Sequence, residues 1–431
     1  RGSSLINNNS ITSVYFALNS TCNVSGAGSF TSNHILIDTN ASVTLLSNLT
    51  FSPVSTLDML TGGTLNPNSN VFNLNSGTFE VSSGAVVSNS GTFRTQGTVT
   101  LNIRNGSSFN APLNVTSGNT QAYEASSPYD ARLYGNITID NGASLDLGNS
   151  PSYSLEVFAN IINNGAILGA AGADLIFSSG VHTLTGSGYI TPSAFVSNGS
   201  SLTLSSDHDM YSMDISAGGV FDISNRRLGF TASDPILNNG TFTTINSDIE
   251  YNGTVLQYIS YMNITYSGLR VNNPAGTRLF EDLTIPDTLA VILGDLNLSG
   301  KIITITPTGY MTETPGNTVF GISGYIVTTR NIGTPTSLNV AGMGAVLTAT
   351  TNLGTTEIKR GHTVQTGLNG GTSIKRYYDI SPTNNSGLTA SLVFKFDDSE
   401  LNGKPEPSLK LFKSTNSGST WLFMGGSVNI A

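Results

Sequence analysis

Short runs of alternating apolar and polar residues, separated by turn-forming pairs, dominate the sequence. They are clearest in residues 73–101, NLNSGTFEVSSGAVVSNSGTFRTQGTVTL. The unit Ser-Gly-Thr-Phe occurs at 76–79 and again at 90–93, 91 − 77 = 14 positions apart, and Asn-Gly-Thr-Phe occurs at 239–242. Each run is too short to bury its own apolar side. The pattern therefore predicts units that stack on one another, as in a solenoid.

Residues 137–147 show the same alternation around an Asn-Gly pair. Ile137, Ile139, Leu145 and Leu147 occupy odd positions and are predicted to face inward, while Thr138 and Asp146 face water. The Asn-Gly pair between the two runs predicts a solenoid corner, with a β-hairpin as the competing interpretation. A corner is favoured because Asn-Gly recurs along the chain without obvious antiparallel partners, and both residue types tolerate the left-handed conformation.

Two stretches depart from this rhythm. Residues 111–132, which contain Tyr123 and Tyr129, predict an insertion at one corner, and corner loops are where solenoids commonly build binding faces. Residues 251–285 carry Tyr258, Tyr261 and Tyr266, which predict an aromatic ladder that covers the core, with an outward stacking surface as the less favoured alternative.

Composition supports an all-β chain. Charged residues make up 10% of the 431 residues, Gly numbers 47, and β-branched residues fill the runs, so long helices are improbable. The formal charge of −9 with only 18 Lys and Arg argues against a nucleic-acid partner. No apolar stretch is long enough to span a bilayer, and the single Cys22 cannot form an internal disulfide. We also expect further sequence to flank one or both ends.

The last third of the chain resembles a known group of proteins. The stretches that carry the resemblance are 269–276, 293–305, 308–320, IKRGHTVQ at 358–365, SIKRYYDI at 373–380, FKFDDSEL at 394–401, LKLFKS at 409–414 and GSTW at 418–421. They resemble the large repetitive surface proteins, adhesin-like in character, that Bacteroidetes-type bacteria export by type IX secretion. The resemblance implies a β-sandwich after the solenoid and a secreted chain, although no sorting domain is recognised in this sequence.

These observations predict an all-β fold: a right-handed parallel β-helix over residues 1–354, with irregular coils, followed by a small β-sandwich, whole or incomplete, over residues 355–431. The tail also predicts two packed sheets without the resemblance, because residues 392–396 alternate and Trp421 belongs to a second apolar run.

Candidate chemistry is sparse. The candidates for acid–base catalysis on a glycan in a groove are Asp207, His208, Asp209 and Asp214, with Arg226 and Arg227 one coil later, although a solvated corner is the favoured interpretation. Tyr123, Tyr129 and Tyr258 are the candidates for glycan stacking.

No cofactor or metal is predicted. The His residues lack metal-ligand spacing. Calcium binding is a second interpretation of the aspartates at 207–214, but neither an EF-hand nor a calcium-binding nonapeptide is present. Asp397, Asp398 and Glu400 predict a surface turn, which is favoured over a metal site. The basic pairs at 359–360 and 375–376 predict a salt-bridge patch between domains or subunits.

The sequence therefore predicts a non-catalytic, extracellular or cell-surface protein with a structural or adhesive role. Its expected partners are a surface or glycan ligand, or further copies of itself in a filament. The alternatives are a β-helix polysaccharide lyase or hydrolase, distinguished by an acid-lined groove, and a glycan-binding module without turnover, distinguished by exposed aromatic residues.

Overall fold

The computed structural model describes residues 13–26, 29–30, 32–51, 56–124, 130–259, 263–367 and 370–429. It is nearly all β and forms a parallel β-solenoid of about 14 turns, which confirms the predicted parallel β-helix. The chain divides into two compact units. One contains the described residues up to Leu228 together with Ile236–Thr243, and the other contains Gly229–Pro235 and the described residues from Thr244 onwards.

Three parallel ladders of short strands build the first unit. The first ladder contains Ser13–Phe16, His34–Ile37, Thr56–Met59, Gly77–Val81, Thr98–Ile103, Asn119–Tyr123, Ser144–Asp146, Ala166–Leu168, Tyr189–Val196 and His208–Ile215. The second contains Thr21–Val24, Ser42–Leu45, Thr64–Asn66, Val86–Val87, Ser108–Phe109, Ala131–Leu133, Ser154–Val157, Asp174–Phe177 and Ile236–Asn238. The C-terminal halves of Tyr189–Val196 and His208–Ile215 also belong to it. The third contains Ser29–Phe30, Leu49–Phe51, Val71–Leu74, Thr92–Thr95, Leu113–Val115, Ile137–Ile139, Ile161–Asn163, Gly180–Thr185, Ser200–Leu204, Val220–Asp222 and Thr241–Thr243.

The second unit begins with parallel coils and ends with antiparallel strands. Its parallel strands are Asp248–Tyr251, Gly268–Asn272, Thr288–Leu293 and Tyr310–Glu313 in one ladder, Gln257–Ile259, Thr277–Leu279, Leu296–Asn297 and Val319–Phe320 in another, and Leu283–Ile285, Ile302–Ile305 and Tyr325–Ile332 in a third. The strand Arg227–Phe230 contains the boundary between the units. The remaining elements are the strands Leu338–Asn339, Ala345–Ala349, Gly354–Gly361, Tyr377–Pro382, Ala390–Phe394, Leu411–Lys413 and Leu422–Gly425, and the 3₁₀ turns Val340–Gly342, Asp398–Glu400 and Glu406–Ser408.

The register of the strands gives the length of a coil in the first unit. Thr78 lies opposite Thr100, 100 − 78 = 22 positions on, and Thr56 lies opposite Thr78, 78 − 56 = 22 positions away. The spacing of 14 between the Ser-Gly-Thr-Phe units is therefore not the coil length. Phe79 belongs to the first ladder and Phe93 to the third, so the two Ser-Gly-Thr-Phe motifs lie on different sides of the same coil.

Alternation along each strand fills the interior. Ile137, Ile139 and Leu145 are fully buried, as predicted, whereas Thr138 and Asp146 are partly exposed. The Asn-Gly pair between them is a corner rather than a hairpin, because the strands on its two sides belong to different parallel ladders.

Close stacking of coils requires glycine at a second predicted corner. A side chain on Gly165 would place Cβ 2.2 Å from the Ala143 carbonyl oxygen of the coil below. The Asn-Gly pair there thus serves the contact between coils as well as the turn itself.

A column of phenylalanine rings runs through the core of the first unit. The rings of Phe51, Phe72 and Phe93 stack with centroid distances of 4.7 and 4.9 Å, and Phe93 also lies 5.3 Å from Phe79 and from Phe109. Phe79 and Phe93 are nearly parallel, with an interplanar angle of 4°. The two copies of Ser-Gly-Thr-Phe thus supply rings that meet across one coil.

The region predicted as an insertion is mostly regular. Leu113–Val115 and Asn119–Tyr123 both pair in the parallel ladders. The coil lengthens only after them: Asn119 lies opposite Ser144, 144 − 119 = 25 positions on, against 119 − 98 = 21 between Thr98 and Asn119. The added length therefore follows Tyr123, and Tyr129 lies outside the described residues.

The strand at the predicted domain boundary belongs to a solenoid sheet. Gly354–Gly361 pairs in antiparallel fashion with Tyr325–Ile332, which itself pairs in parallel with Ile302–Ile305, and Tyr377–Pro382 then pairs with Gly354–Gly361. A separate antiparallel sheet joins Leu338–Asn339, Ala345–Ala349 and Ala390–Phe394. The two sheets contact each other through Tyr378 and Phe394, whose rings lie edge to face at 4.8 Å.

Phe93→Ala should destabilise the first unit by about 3–5 kcal/mol, because it empties the centre of the phenylalanine column. Urea unfolding followed by far-UV circular dichroism measures the change. Val181→Ala is the matched control: Val181 is 79% exposed, so the cost should stay within about 0.5 kcal/mol. Equal costs for the two variants would contradict this account of the core.

Candidate functional site

The parallel register places a row of polar side chains on the first ladder. Glu80 lies opposite Asn102, and Asn102 lies opposite Tyr123, although each comes from a different coil. The Asn102 amide nitrogen donates to both Glu80 carboxylate oxygens, at 2.7 and 2.8 Å. Stacking of coils thus assembles a row, buried at Asn102 and partly exposed at Glu80 and Tyr123, that no local motif encodes.

An arginine lies between two carboxylates at the end of this row. The Arg104 guanidinium is 3.3 Å from Glu80 Oε2 and 3.5 Å from Glu124 Oε1. The Glu124 side chain is fully buried, whereas those of Glu80 and Arg104 are about one third exposed. Glu80 and Arg104 are therefore accessible from solvent, and Glu124 holds the guanidinium from beneath.

Two tyrosines stack beside these charges. The rings of Tyr123 and Tyr153 have centroids 5.0 Å apart and an interplanar angle of 18°, and both residues are partly exposed. Gly148, with φ of 94°, allows this arrangement, since a Cβ there would lie 2.8 Å from the Tyr153 ring. We call the following set the aromatic–ionic patch: Glu80, Asn102, Arg104, Tyr123, Glu124 and Tyr153.

The Tyr123 hydroxyl is electrostatically coupled to the charges of the patch. Burial raises the pKa of Tyr123, the neighbouring Tyr153 and Glu80 raise it further, and Arg104 lowers it. The phenol is therefore protonated at neutral pH and is available as a hydrogen-bond donor.

Two further surface aromatic pairs connect neighbouring coils. Tyr134 and Phe158 stack at 4.5 Å in the first unit, next to an ion pair in which Arg132 Nε lies 2.6 Å from Glu156 Oε2. In the second unit, Tyr258 lies 5.0 Å from Phe280.

The tyrosines predicted for residues 251–285 divide between surface and core. Tyr258 is partly exposed, whereas Tyr266 is buried, and its hydroxyl lies 2.6 Å from that of Tyr251. Tyr261, like Tyr129, lies outside the described residues. Of the three tyrosines predicted for stacking, the structure thus places Tyr123 and Tyr258 in surface aromatic pairs.

The fold brings Asp207 and Asp209 together at Arg227 and separates them from Asp214. Asp209 pairs with Arg227 at 2.8 Å, and Asp207 accepts the backbone amide of Arg227 at 2.9 Å. Asp209 and Asp214 lie on the same strand, His208–Ile215. Asp209 lies opposite Tyr189 near the start of this strand, and Asp214 lies opposite Phe195 near its end.

Asp214 and Arg226 have their own surroundings. Burial raises the pKa of Asp214, and Arg226 is exposed at a corner. Of the two predicted arginines, Arg227 is the one that contacts Asp207, through its backbone amide, and Asp209, through its guanidinium.

A second charged cluster is buried in the second unit. Arg360 is fully buried and makes a two-pronged ion pair with Glu313, at 2.7 and 2.6 Å. Arg376 pairs with Glu400 at 2.8 Å and lies 3.5 Å from Glu313. The predicted salt-bridge patch is therefore internal: it joins the parallel strand Tyr310–Glu313 to the antiparallel strands of the same unit.

Glu400 lies in the interior, which differs from its predicted position in a surface turn. Asp397 caps the 3₁₀ turn Asp398–Glu400 at the surface, but this turn directs the Glu400 side chain onto Arg376. His362 is also buried, with Nδ1 3.5 Å from Glu400 Oε1. Burial lowers the pKa of His362 to about 4, and the neighbouring Arg360 and Arg376 also lower it, against an opposing effect of Glu400.

The sequence analysis missed most members of the aromatic–ionic patch, and it missed Glu313 of the buried charged cluster. Tyr153, Glu80 and Arg104 carry no motif, and only their register across coils joins them to Tyr123. A usable signal would have been the coil length, since Asn102 follows Glu80 by 102 − 80 = 22 positions and Tyr123 follows Asn102 by 123 − 102 = 21.

Metal sites and membrane-spanning helices are absent from the described residues. Across those ranges, no three His, Cys, Asp or Glu side chains are grouped closely enough to hold a metal ion. No helix there combines the length and apolar character that a bilayer span requires. A comparison with models of known protein families, with curated proteins and with solved structures finds no match.

Glu313→Gln should destabilise the second unit by about 3–5 kcal/mol, because it leaves the Arg360 guanidinium buried without its counter-charge. Fluorescence of Trp421, the only tryptophan, measures unfolding of this unit in urea. The double variant Arg360→Met/Glu313→Gln should recover at least half of the loss. Glu357→Gln, at an exposed pair with Lys359, is the control and should cost less than about 1 kcal/mol. No recovery in the double variant would contradict the ion-pair explanation.

The second unit should also lose stability as the pH falls from 6.5 to 4.5. His362 has a pKa of about 4 when folded and an ordinary value of 6.5 when unfolded, so the unfolded chain binds more protons in this window. The expected loss is about 2 kcal/mol. Burial by itself would raise the pKa of Glu313, but Arg360 lowers it to about 2, so this carboxylate adds a further loss only below pH 4.5.

Urea midpoints from Trp421 fluorescence across this pH range measure the effect. His362→Gln should flatten the slope between pH 6.5 and 4.5 while leaving the loss below 4.5 in place. An unchanged slope in this variant would assign the effect to another group.

Proposed function

We propose that this protein is a non-catalytic adhesive protein that acts outside a bacterial cell and binds saccharides through aromatic pairs on its solenoid surface. The observation that carries the proposal is the stacked Tyr123–Tyr153 pair beside Arg104 and Glu80. The resemblance of residues 358–421 to bacterial surface proteins supports the extracellular setting.

The chemistry of the patch suits a sugar ring. A pyranose has an apolar C–H face that packs on an aromatic face, and hydroxyl groups at its edge that require donors and acceptors. Tyr123 and Tyr153 offer aromatic surface, while the partly exposed Arg104 and Glu80 offer a donor and an acceptor. A few polar groups beside an aromatic surface fix the orientation of a bound ring.

The scaffold favours binding rather than turnover. Glu80, Asn102 and Tyr123 of the patch lie on in-register strands of three successive coils, which limits their movement. The competing hypothesis of a polysaccharide lyase or hydrolase assigns acid–base work to Asp207 and Asp209, and both contact Arg227. Because Asp207 and Asp209 are both engaged with Arg227, we assign them a structural role in joining neighbouring coils.

Several sites on one chain favour adhesion. The Tyr134–Phe158 pair adds a second aromatic surface beside the Arg132–Glu156 ion pair. A polymer that engages both sites gains avidity, because the second contact forms at a high effective concentration. Weak individual sites are then sufficient for firm attachment to a polysaccharide.

Tyr123→Ala should weaken saccharide binding about tenfold, which corresponds to loss of a stacking contact worth about 1.4 kcal/mol. A glycan array identifies the oligosaccharides bound, and titration calorimetry on the full chain measures the affinity. Tyr189→Ala is the control, because Tyr189 is 51% exposed and lies outside the patch. Absence of binding across the array, or equal affinities for the two variants, would overturn the proposal.

A further inference from the structure

We propose that the aromatic–ionic patch selects saccharides that carry a protonated amino group over neutral saccharides, and neutral over acidic ones. This inference rests on the proposed function and concerns the ligand class of the same site. It follows from how the charges of the patch are arranged and from which of them solvent reaches.

The patch has an excess of negative charge. It contains the carboxylates of Glu80 and Glu124 and the single guanidinium of Arg104, which lies within 3.5 Å of both. The formal charge is therefore −1, and the only cation of the patch is already shared between two anions. A uronic acid would meet net repulsion there and would have to compete with Glu80 for Arg104.

The negative charge is presented next to the aromatic surface. The Glu80 side chain is 31% exposed. Glu80 lies opposite Asn102 of the next coil, and Asn102 lies opposite Tyr123 of the coil after that. An ammonium group over the Tyr123 ring would be attracted by the ring face and by the Glu80 carboxylate together. A neutral hydroxyl or acetamide in the same place would receive only an ordinary hydrogen bond.

The charge of the whole chain acts in the same direction. The sequence has 27 acidic and 18 basic residues, a formal charge of −9. Such a surface attracts a cationic polymer over about 10 Å at moderate salt and repels an anionic one. The local and long-range fields thus favour the same ligand class.

Oligomers of glucosamine and of N-acetylglucosamine provide a matched pair of probes, because they share a backbone and differ in the charged amine. Oligogalacturonate serves as the acidic probe and oligolysine as a cation without sugar rings. Titration calorimetry with the full chain at pH 6.0 should show glucosamine oligomers binding about tenfold more tightly than the acetylated ones. This preference should shrink several-fold in 0.5 M salt.

Glu80→Gln should reduce the preference for glucosamine oligomers to about threefold or less, because it weakens binding of the charged oligomers more than binding of the acetylated ones. Glu357→Gln, a surface acid outside the patch, is the control and should keep the full preference. Circular dichroism of both variants verifies that they fold.

The possible outcomes separate the two proposals. Equal binding of acetylated and free glucosamine oligomers, or tighter binding of oligogalacturonate, would overturn the charge selectivity and leave saccharide binding in place. Oligolysine binding as tight as that of glucosamine oligomers would show that the patch selects cations without regard to the sugar ring, which also overturns the inference. Failure of every saccharide to bind would refute the proposed function itself.

Discussion

In-register parallel pairing of successive coils is the constraint on which the rest of this structure depends. Each coil must return every inward side chain to a position above its equivalent in the coil below, or the buried column of rings and aliphatic chains loses its contacts. Phe51, Phe72 and Phe93 show the result, since rings from three successive coils stack directly. Coil length varies, as it does after Tyr123, while the register of the paired strands is kept.

The same register organises the outer surface. Charges are few, and many are placed to meet a partner one coil away: the pairs His34 with Asp58, Glu80 with Arg104 and Arg132 with Glu156 share one sequence separation, of 24. A solenoid thus converts a spacing in sequence into contact on a rigid grid. Aromatic residues follow the rule as well, because Tyr134 and Phe158 come from neighbouring coils and stack. A surface of this kind holds binding groups in fixed positions, which is the property an adhesive protein requires.

The second unit adds a different source of specificity. Arg360, Arg376 and Glu400 are buried, the Glu313 side chain is only 17% exposed, and the desolvation of these charges is offset only when all partners are in place. The cluster joins the last parallel coil to the antiparallel strands through directional, two-pronged contacts. We interpret it as a device that fixes how these strands pack, because an apolar cluster would tolerate several arrangements.

Local sequence determined the strand alternation, the corners and the all-β class, because a period of two and the conformational freedom of Asn-Gly act over a few residues. It placed Ile137 and its inward neighbours correctly for this reason. It did not determine which residues become neighbours across coils, since that depends on how many residues complete a turn. The Ser-Gly-Thr-Phe spacing therefore misled, and Tyr153 went unrecognised beside Tyr123. The burial of Glu400 was likewise decided only by the tertiary structure, because its partner Arg376 comes from a distant segment that sequence pattern alone does not bring near it.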